Sequence, residues 1–233
     1  MSANWVLIII FGSIAVITAI IIFLAVRMTK NQKKRESEIE LLAEEMGWKS
    51  EKNWKYSELA IGFGKQLQET FSYFKNSPAV QSKNLAQCET NGAEVRIFDC
   101  GTKFGRNFSF VTAVHFQSGN LNLPSFSLFP EGVVRKIGGF FGARDIDFEA
   151  HPEFSKSYVL KSDDEQSVRR ISDNSVLPFY AQNSGLTVLG NGSRLLFFRA
   201  NDFELPAREF KSLLDEALKT FHLFETASRR INP

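Results

Sequence analysis

The run from Trp5 to Val26, WVLIIIFGSIAVITAIIIFLAV, holds 22 consecutive residues without a charge. As a helix it would be about 33 Å long, against a bilayer hydrocarbon core of about 30 Å. Fifteen of those residues are Ile, Val, Leu or Phe. At ~0.3–0.6 kcal/mol each, insertion is favoured by roughly 5–9 kcal/mol. Trp5 stands where an interfacial anchor would stand. A cleaved signal peptide would need a positive leader, an apolar stretch of about 7–15 residues and a small-residue cleavage site. No Lys or Arg precedes this run, and RMTK follows it directly. The sequence therefore predicts a short external stub over 1–4 and a membrane-spanning helix over 5–26, in contact with lipid.

The flanks set the orientation. Arg27, Lys30, Lys33, Lys34 and Arg35 follow the span, while MSAN precedes it. Cytoplasmic flanks carry the excess of Lys and Arg, which predicts a single-pass protein of the cell membrane with its N-terminus outside. The C-terminal part is then cytoplasmic. Without those five basic residues the chain keeps 23 Lys and Arg against 26 acids. The overall charge of +2 is thus a membrane-flank effect, and a basic nucleic-acid surface is not expected. Two cysteines, Cys88 and Cys100, are too few for a disulfide framework or a zinc site, and are expected as thiols.

Beyond the flank, ESEIELLAEEMGWKSE places Ile39, Leu41, Leu42, Ala43 and Met46 among glutamates. This predicts a short amphipathic helix ending at Gly47, so that 27–47 forms a basic juxtamembrane segment with its helix. Residues 48–233 are the expected cytoplasmic domain, and because the core pattern begins at Glu36, a cut before it is expected to leave a folded unit. KQLQETFSYFKN suits either a helix or an extended aromatic stretch. AEVRIFDCG and NFSFVTAVHFQS alternate like strands around the turn GTKFGR, and SFSLFPEG reads as a third strand completing an antiparallel meander. EGVVRKIGGFFG reads as a short helix or turn, basic and aromatic, and HPEFSKSY and DDEQSVRRI as short helices, the latter capped by Asp163 or Asp164. GLTVLGNGSRLLFFRA predicts a hairpin turning at Asn191-Gly192. LPAREFKSLLDEALKTFHLFE aligns Phe210, Leu213, Leu214, Ala217, Leu218, Phe221 and Phe224 on one helical stripe, with Pro206 suited to the first turn. The fold class is α+β: an antiparallel sheet with packed helices, preceded by one N-terminal transmembrane helix.

LAEEMGWKS, EVRIFDCGTKFG, SFSLFPEG, DIDFEAHPEFSKSYVLKSDDEQSVR and the closing hairpin and helix together resemble a family of uncharacterised bacterial membrane-anchored proteins carrying a domain of unknown function. The resemblance spans roughly residues 41–224. At FDCG this chain has Cys100 where that family has an aromatic residue. What the resemblance implies is a fold and a membrane location, with no activity, ligand or site residue attached.

One stretch has the residue types for chemistry. If ARDIDFEAH is extended, Asp145, Asp147 and Glu149 share a face, about 6–7 Å apart along the strand. Three such carboxylates could hold Mg²⁺ or Ca²⁺, with His151 as a further ligand or general base. The competing reading is a polar outer face over a buried Ile146 and Phe148, with one aspartate capping a helix that starts near Pro152. That second reading is the expectation, because a hard cation takes about six oxygen ligands and this stretch supplies three carboxylates. His115 and His222 have no Cys or Ser partner at a recognisable spacing and are read as structural. Neither GGFFG nor GKQ has the strand–glycines–Lys–helix arrangement of a phosphate loop. No cofactor or resident metal is expected. The expected function is a non-catalytic interaction or binding module that takes a protein partner or lipid headgroups; the alternative is a metal-dependent, hydrolase-like enzyme using the cluster at 145–151.

Overall fold

The computed structural model of the chain describes residues 3–51, 57–104, 107–132, 144–172, 175–199 and 204–231. The helix that carries the apolar run does not stop where the charges begin. Helix α1 (Ala3–Glu45) is a single helix of 43 residues, because Arg, Met, Lys, Gln and Glu at 27–40 are good helix formers and no Gly or Pro interrupts them. The part from Phe11 onward is long and apolar enough to cross a membrane, and its most apolar window is not buried at all. The helix ends as the sequence predicts. Gly47 has φ +69°, Gly47 N–H donates to Glu44 O and Trp48 N–H to Ala43 O, the paired bonds of a left-handed helix cap.

After β1 (Lys49–Ser50) come α2 (Glu58–Thr70), a 3₁₀ turn (Ser72–Phe74), β2 (Val80–Thr90), β3 (Ala93–Phe104), β4 (Asn107–Ser118), β5 (Leu123–Pro130) and β6 (Arg144–Asp145). Then follow α3 (Pro152–Ser157), β7 (Tyr158–Ser162), α4 (Glu165–Ile171), α5 (Val176–Gln182), β8 (Leu186–Gly192), β9 (Arg194–Arg199), a 3₁₀ turn (Ala207–Glu209) and α6 (Phe210–Ile231). Among the described residues nine strands form one antiparallel sheet in the order β1-β2-β3-β4-β9-β8-β5-β7-β6.

Alternation along the strands divides the core in two. Val95, Ile97, Val114, Phe116, Leu195 and Phe197 face Ile39 and Ala43 of α1 and the apolar stripe of α6. Phe98, Cys100, Ala113, Leu196 and Phe198 face Phe63 and Leu67 of α2 and Phe71 and Phe74 beyond it. The sheet is thus covered on both sides, and the α+β expectation holds. The α6 stripe is as predicted, with Leu218 partly buried and the others buried.

The meander does not hold for its third member. β3 and β4 pair along their whole length, but β5 pairs with β7 and β8. The β8–β9 hairpin is inserted between β4 and β5. Its strands are buried on both faces, from Leu186 to Gly190 and from Leu195 to Phe198, so they take the centre of the sheet and push β5 outward. That hairpin turns at Gly192-Ser193, one residue later than expected, and Asn191 instead pairs with Arg194. An Asn-Gly turn does occur elsewhere. Asn91 (φ +50°) and Gly92 (φ +75°) join β2 to β3, which the sequence reading missed. The segment EGVVRKIGGFFG lies largely outside the described residues.

Candidate functional site

A densely bonded polar group among the described residues sits where α1 meets the sheet. Asp99 on β3 points to the α1 side, opposite Thr112 on β4, and its side chain is completely buried. On β2 the register shifts between Lys83 and Ala86, and Asn84 takes φ +56°. This bulge aims the Asn84 amide at the carboxylate, as bulges commonly re-aim a side chain.

Arg35 completes the cluster from α1. Its Nε donates to Asp99 Oδ2 at 2.8 Å and its Nη2 to Oδ1 at 2.6 Å, a bidentate pair. Thr112 Oγ1 donates to Oδ1 at 2.9 Å and Asn84 Nδ2 to Oδ2 at 2.8 Å. Four donors therefore fill the four acceptor directions of the carboxylate. Arg35 Nη1 donates to Leu205 O at 2.5 Å, while Thr112 Oγ1 accepts from Leu205 N at 2.9 Å. The guanidinium also lies 5.6 Å from the Phe210 ring centroid. Burial alone would lower the Arg35 pKa, but the hydrogen bond and charge of Asp99 outweigh it and hold the group above its ordinary value. A second pair, Lys83 with Glu204, adjoins the first, and Lys83 Nζ lies 3.9 Å from the Phe110 centroid. With its lone pairs taken, Asp99 is placed as a clamp for α1 rather than as a proton acceptor for a substrate.

The acidic stretch has a different geometry. Asp145, Asp147 and Glu149 are exposed, and Ile146, Phe148 and Phe154 are buried. Burial and the neighbouring Asp147 push the Asp145 carboxyl up, with Lys161 opposing. Ile146 N–H donates to Leu160 O, and Phe148 N–H to Ser155 Oγ at 3.2 Å. His151 stands at the N-cap of α3 with no side-chain capping bond; Ser155, not an aspartate, supplies the local acceptor. Arg169 donates to Asp147 O and covers the Phe148 ring at 4.9 Å. Among the described residues no group of three or more His, Cys, Asp or Glu is arranged to hold a metal ion. His151 borders a cavity of about 440 Å³ with Phe154, Leu177 and Ala181, whereas Asp145, Asp147 and Glu149 do not line it.

The other histidines and the cysteines lie apart from the acidic stretch in sequence. His115 is fully buried between Phe63 and Phe71, ring centroids 5.5 and 6.3 Å away. Desolvation, aided by Arg96 and Arg194, lowers its pKa to about 3. His222 lies on α6, 3.6 Å from Glu225. Cys88 and Cys100 are free thiols; burial, with Asp99 adding to it, pushes Cys100 up to about 12. Asp164 caps α4 by accepting from Ser167 N–H at 3.0 Å. Sequence reading quoted FDCG and Arg35 but did not link them. The signal was present: an aspartate in line with Val95 and Ile97 on the apolar face of a strand needs a buried partner.

No family model and no curated protein matches this chain. Among solved structures its fold is similar to that of the mycobacterial trehalose monomycolate transport factor A, TtfA, with a TM-score of 0.53. The two share 14% identity, covering 84% of this chain and 94% of that one. At that identity the likeness shows a common fold.

Proposed function

We propose that the chain is a single-pass protein of the cell membrane whose α+β domain is a non-catalytic interaction module, held at a fixed attitude to the bilayer. One observation carries this reading: the helix that bears the apolar span continues without a break into the domain core, where Arg35 is locked onto the buried Asp99. A loose tether would need no such junction. A rigid one presents the same surface of the domain to whatever else lies in the membrane. The similar fold of a protein named a transport factor is in keeping with a binding role. The basic flank 27–35 supports a cytoplasmic domain with the N-terminus outside, as does the resemblance to membrane-anchored bacterial proteins.

Two measurements test this. A reporter active only outside the cytoplasm, fused after Pro233, is expected to be inactive; high activity reverses the topology. Cross-linking of the full chain in its native membrane is expected to capture a reproducible protein partner, abolished by surface substitutions that leave the fold intact. A chain that captures nothing reproducibly is not an interaction module of this kind.

A further inference from the structure

The clamp fixes which end of the sheet faces the bilayer. Arg35 lies beside Asn84 and Asp99, whereas Lys49, just past the end of α1, pairs with Gln87. Between these points α1 rises about 15 Å from Arg35 to Glu45, and β2 about 10 Å from Asn84 to Gln87. Most of the helix's length is therefore directed along β2. Followed backwards toward the span, α1 points past the start of β2 and the end of β3, where the β3–β4 hairpin turns.

The face of that hairpin beyond the clamp is not core-like. Phe108 and Phe110 share the face of Thr112, stack with centroids 6.0 Å apart, and are only half-buried. Lys103 pairs with Phe108 across the ladder and is also half-buried. Lys83, over Phe110, is neutralised by Glu204. Along α1, Lys30, Lys33 and Lys34 are exposed between the apolar run and Arg35. Aromatic rings beside lysines are the composition of a surface seated at a lipid headgroup boundary.

The distances agree. Val26, the last residue of the apolar run, precedes Arg35 by nine residues, about 13.5 Å of helix. Phe108 lies four residues beyond Thr112, about 13.6 Å of strand. Taking the about 10 Å rise of β2 against the about 15 Å of α1 as the measure, about two-thirds of one projects on the other. Whether the membrane normal follows the helix or the strand, Phe108 then falls within about 5 Å of the hydrocarbon boundary, and a headgroup layer is itself about 5–7 Å thick. We propose that the β3–β4 hairpin face carrying Phe108, Phe110 and Lys103 is a second membrane contact, seated on an anionic bilayer surface beside the span. This rests on the reading of α1 as a transmembrane anchor.

The test uses the full chain reconstituted in vesicles of phosphatidylglycerol and phosphatidylcholine. Photoreactive benzoylphenylalanine replaces Phe108 or Lys103, one at a time, with Ile17 as the control inside the span and Glu89 as the control at the far end of β2. Lipid adducts are expected at 17, 108 and 103 and not at 89. Using two hairpin positions guards against one variant failing to fold. Adducts at 17 with none at 108 or 103, or with protein in place of lipid there, overturn the inference while sparing the anchor. Absence of lipid adducts at 17 overturns the anchor itself.

Discussion

Asp99 is a fully buried carboxylate held in a bidentate pair by Arg35. Removing one partner of a buried, hydrogen-bonded ion pair leaves an uncompensated charge and costs about 3–5 kcal/mol, whereas replacing both by apolar groups is often close to neutral. Asp99→Leu is therefore expected to lower the unfolding free energy by about 3–5 kcal/mol. Adding Arg35→Met should recover part of that loss, with the Thr112 hydroxyl and Asn84 amide keeping the remainder unsatisfied. Urea unfolding of the two single variants and the double variant reads the coupling directly; simple additivity would deny the clamp. His115 acts in the opposite sense. It is held neutral, with a folded pKa of about 3 against an ordinary 6.5. Between those values the unfolded chain takes a proton that the folded chain refuses, so stability is fully present above about pH 6.5 and falls as pH drops. At pH 5 the loss from this group is about 2 kcal/mol. His115→Leu should flatten the decline in Tm between pH 7 and pH 5 relative to the parent chain, and an unchanged slope would show that the histidine gains a proton in the fold.

In the stretch DIDFEAHPEF the packing, not the acids, is expected to matter most. Phe148 is 7% exposed and meets Phe154 edge-on at 5.5 Å. Phe148→Ala should cost about 3–5 kcal/mol, as for other core aromatics. Asp145→Asn should be mild, and calorimetry with Mg²⁺ or Ca²⁺ should look the same before and after it. Tight binding that this substitution removes would revive the metal-dependent reading. Elements whose apolar pattern is local were legible in the sequence: the long apolar N-terminal helix, the alternating β3 and β4, the stripe of α6, the Gly47 cap and the Asp164 cap. Elements whose place depends on remote partners were not. Nothing inside SFSLFPEG says that β8 and β9 separate it from β4; that follows from those two strands being apolar on both faces. β2 was hidden because its alternation breaks at the Asn84 bulge, and YVLKS because it is short. The clamp escaped notice because Arg35 is one of five basic residues and looked like more of the same flank.

That misreading has a consequence for where the domain begins. The core pattern starts after Glu36, but the last buried contact of α1 on its membrane side is Arg35, one residue earlier. A chain starting at Glu36 keeps Ile39 and Ala43 in the core yet leaves Asp99 without its cation at 0% side-chain exposure. A chain starting at Asn31 keeps the cation and about one helical turn before it, enough to hold the guanidinium in register. The longer form is expected to be soluble and cooperatively folded, and the shorter one weaker by about 3–5 kcal/mol. Against the roughly 5–15 kcal/mol that holds most domains together, this is a large fraction. Restoring balance inside the short form by Asp99→Asn should rescue part of the difference, since a neutral amide costs less to bury than an unpaired carboxylate. The same substitution in the longer form should be harmful, because it strands Arg35. This reversal of sign distinguishes a lost ion pair from a merely shortened helix, and urea unfolding of the four proteins measures it. If the two truncations are equally stable and Asp99→Asn acts alike in both, the helix and the domain are joined flexibly, and the fixed attitude to the bilayer goes with the clamp.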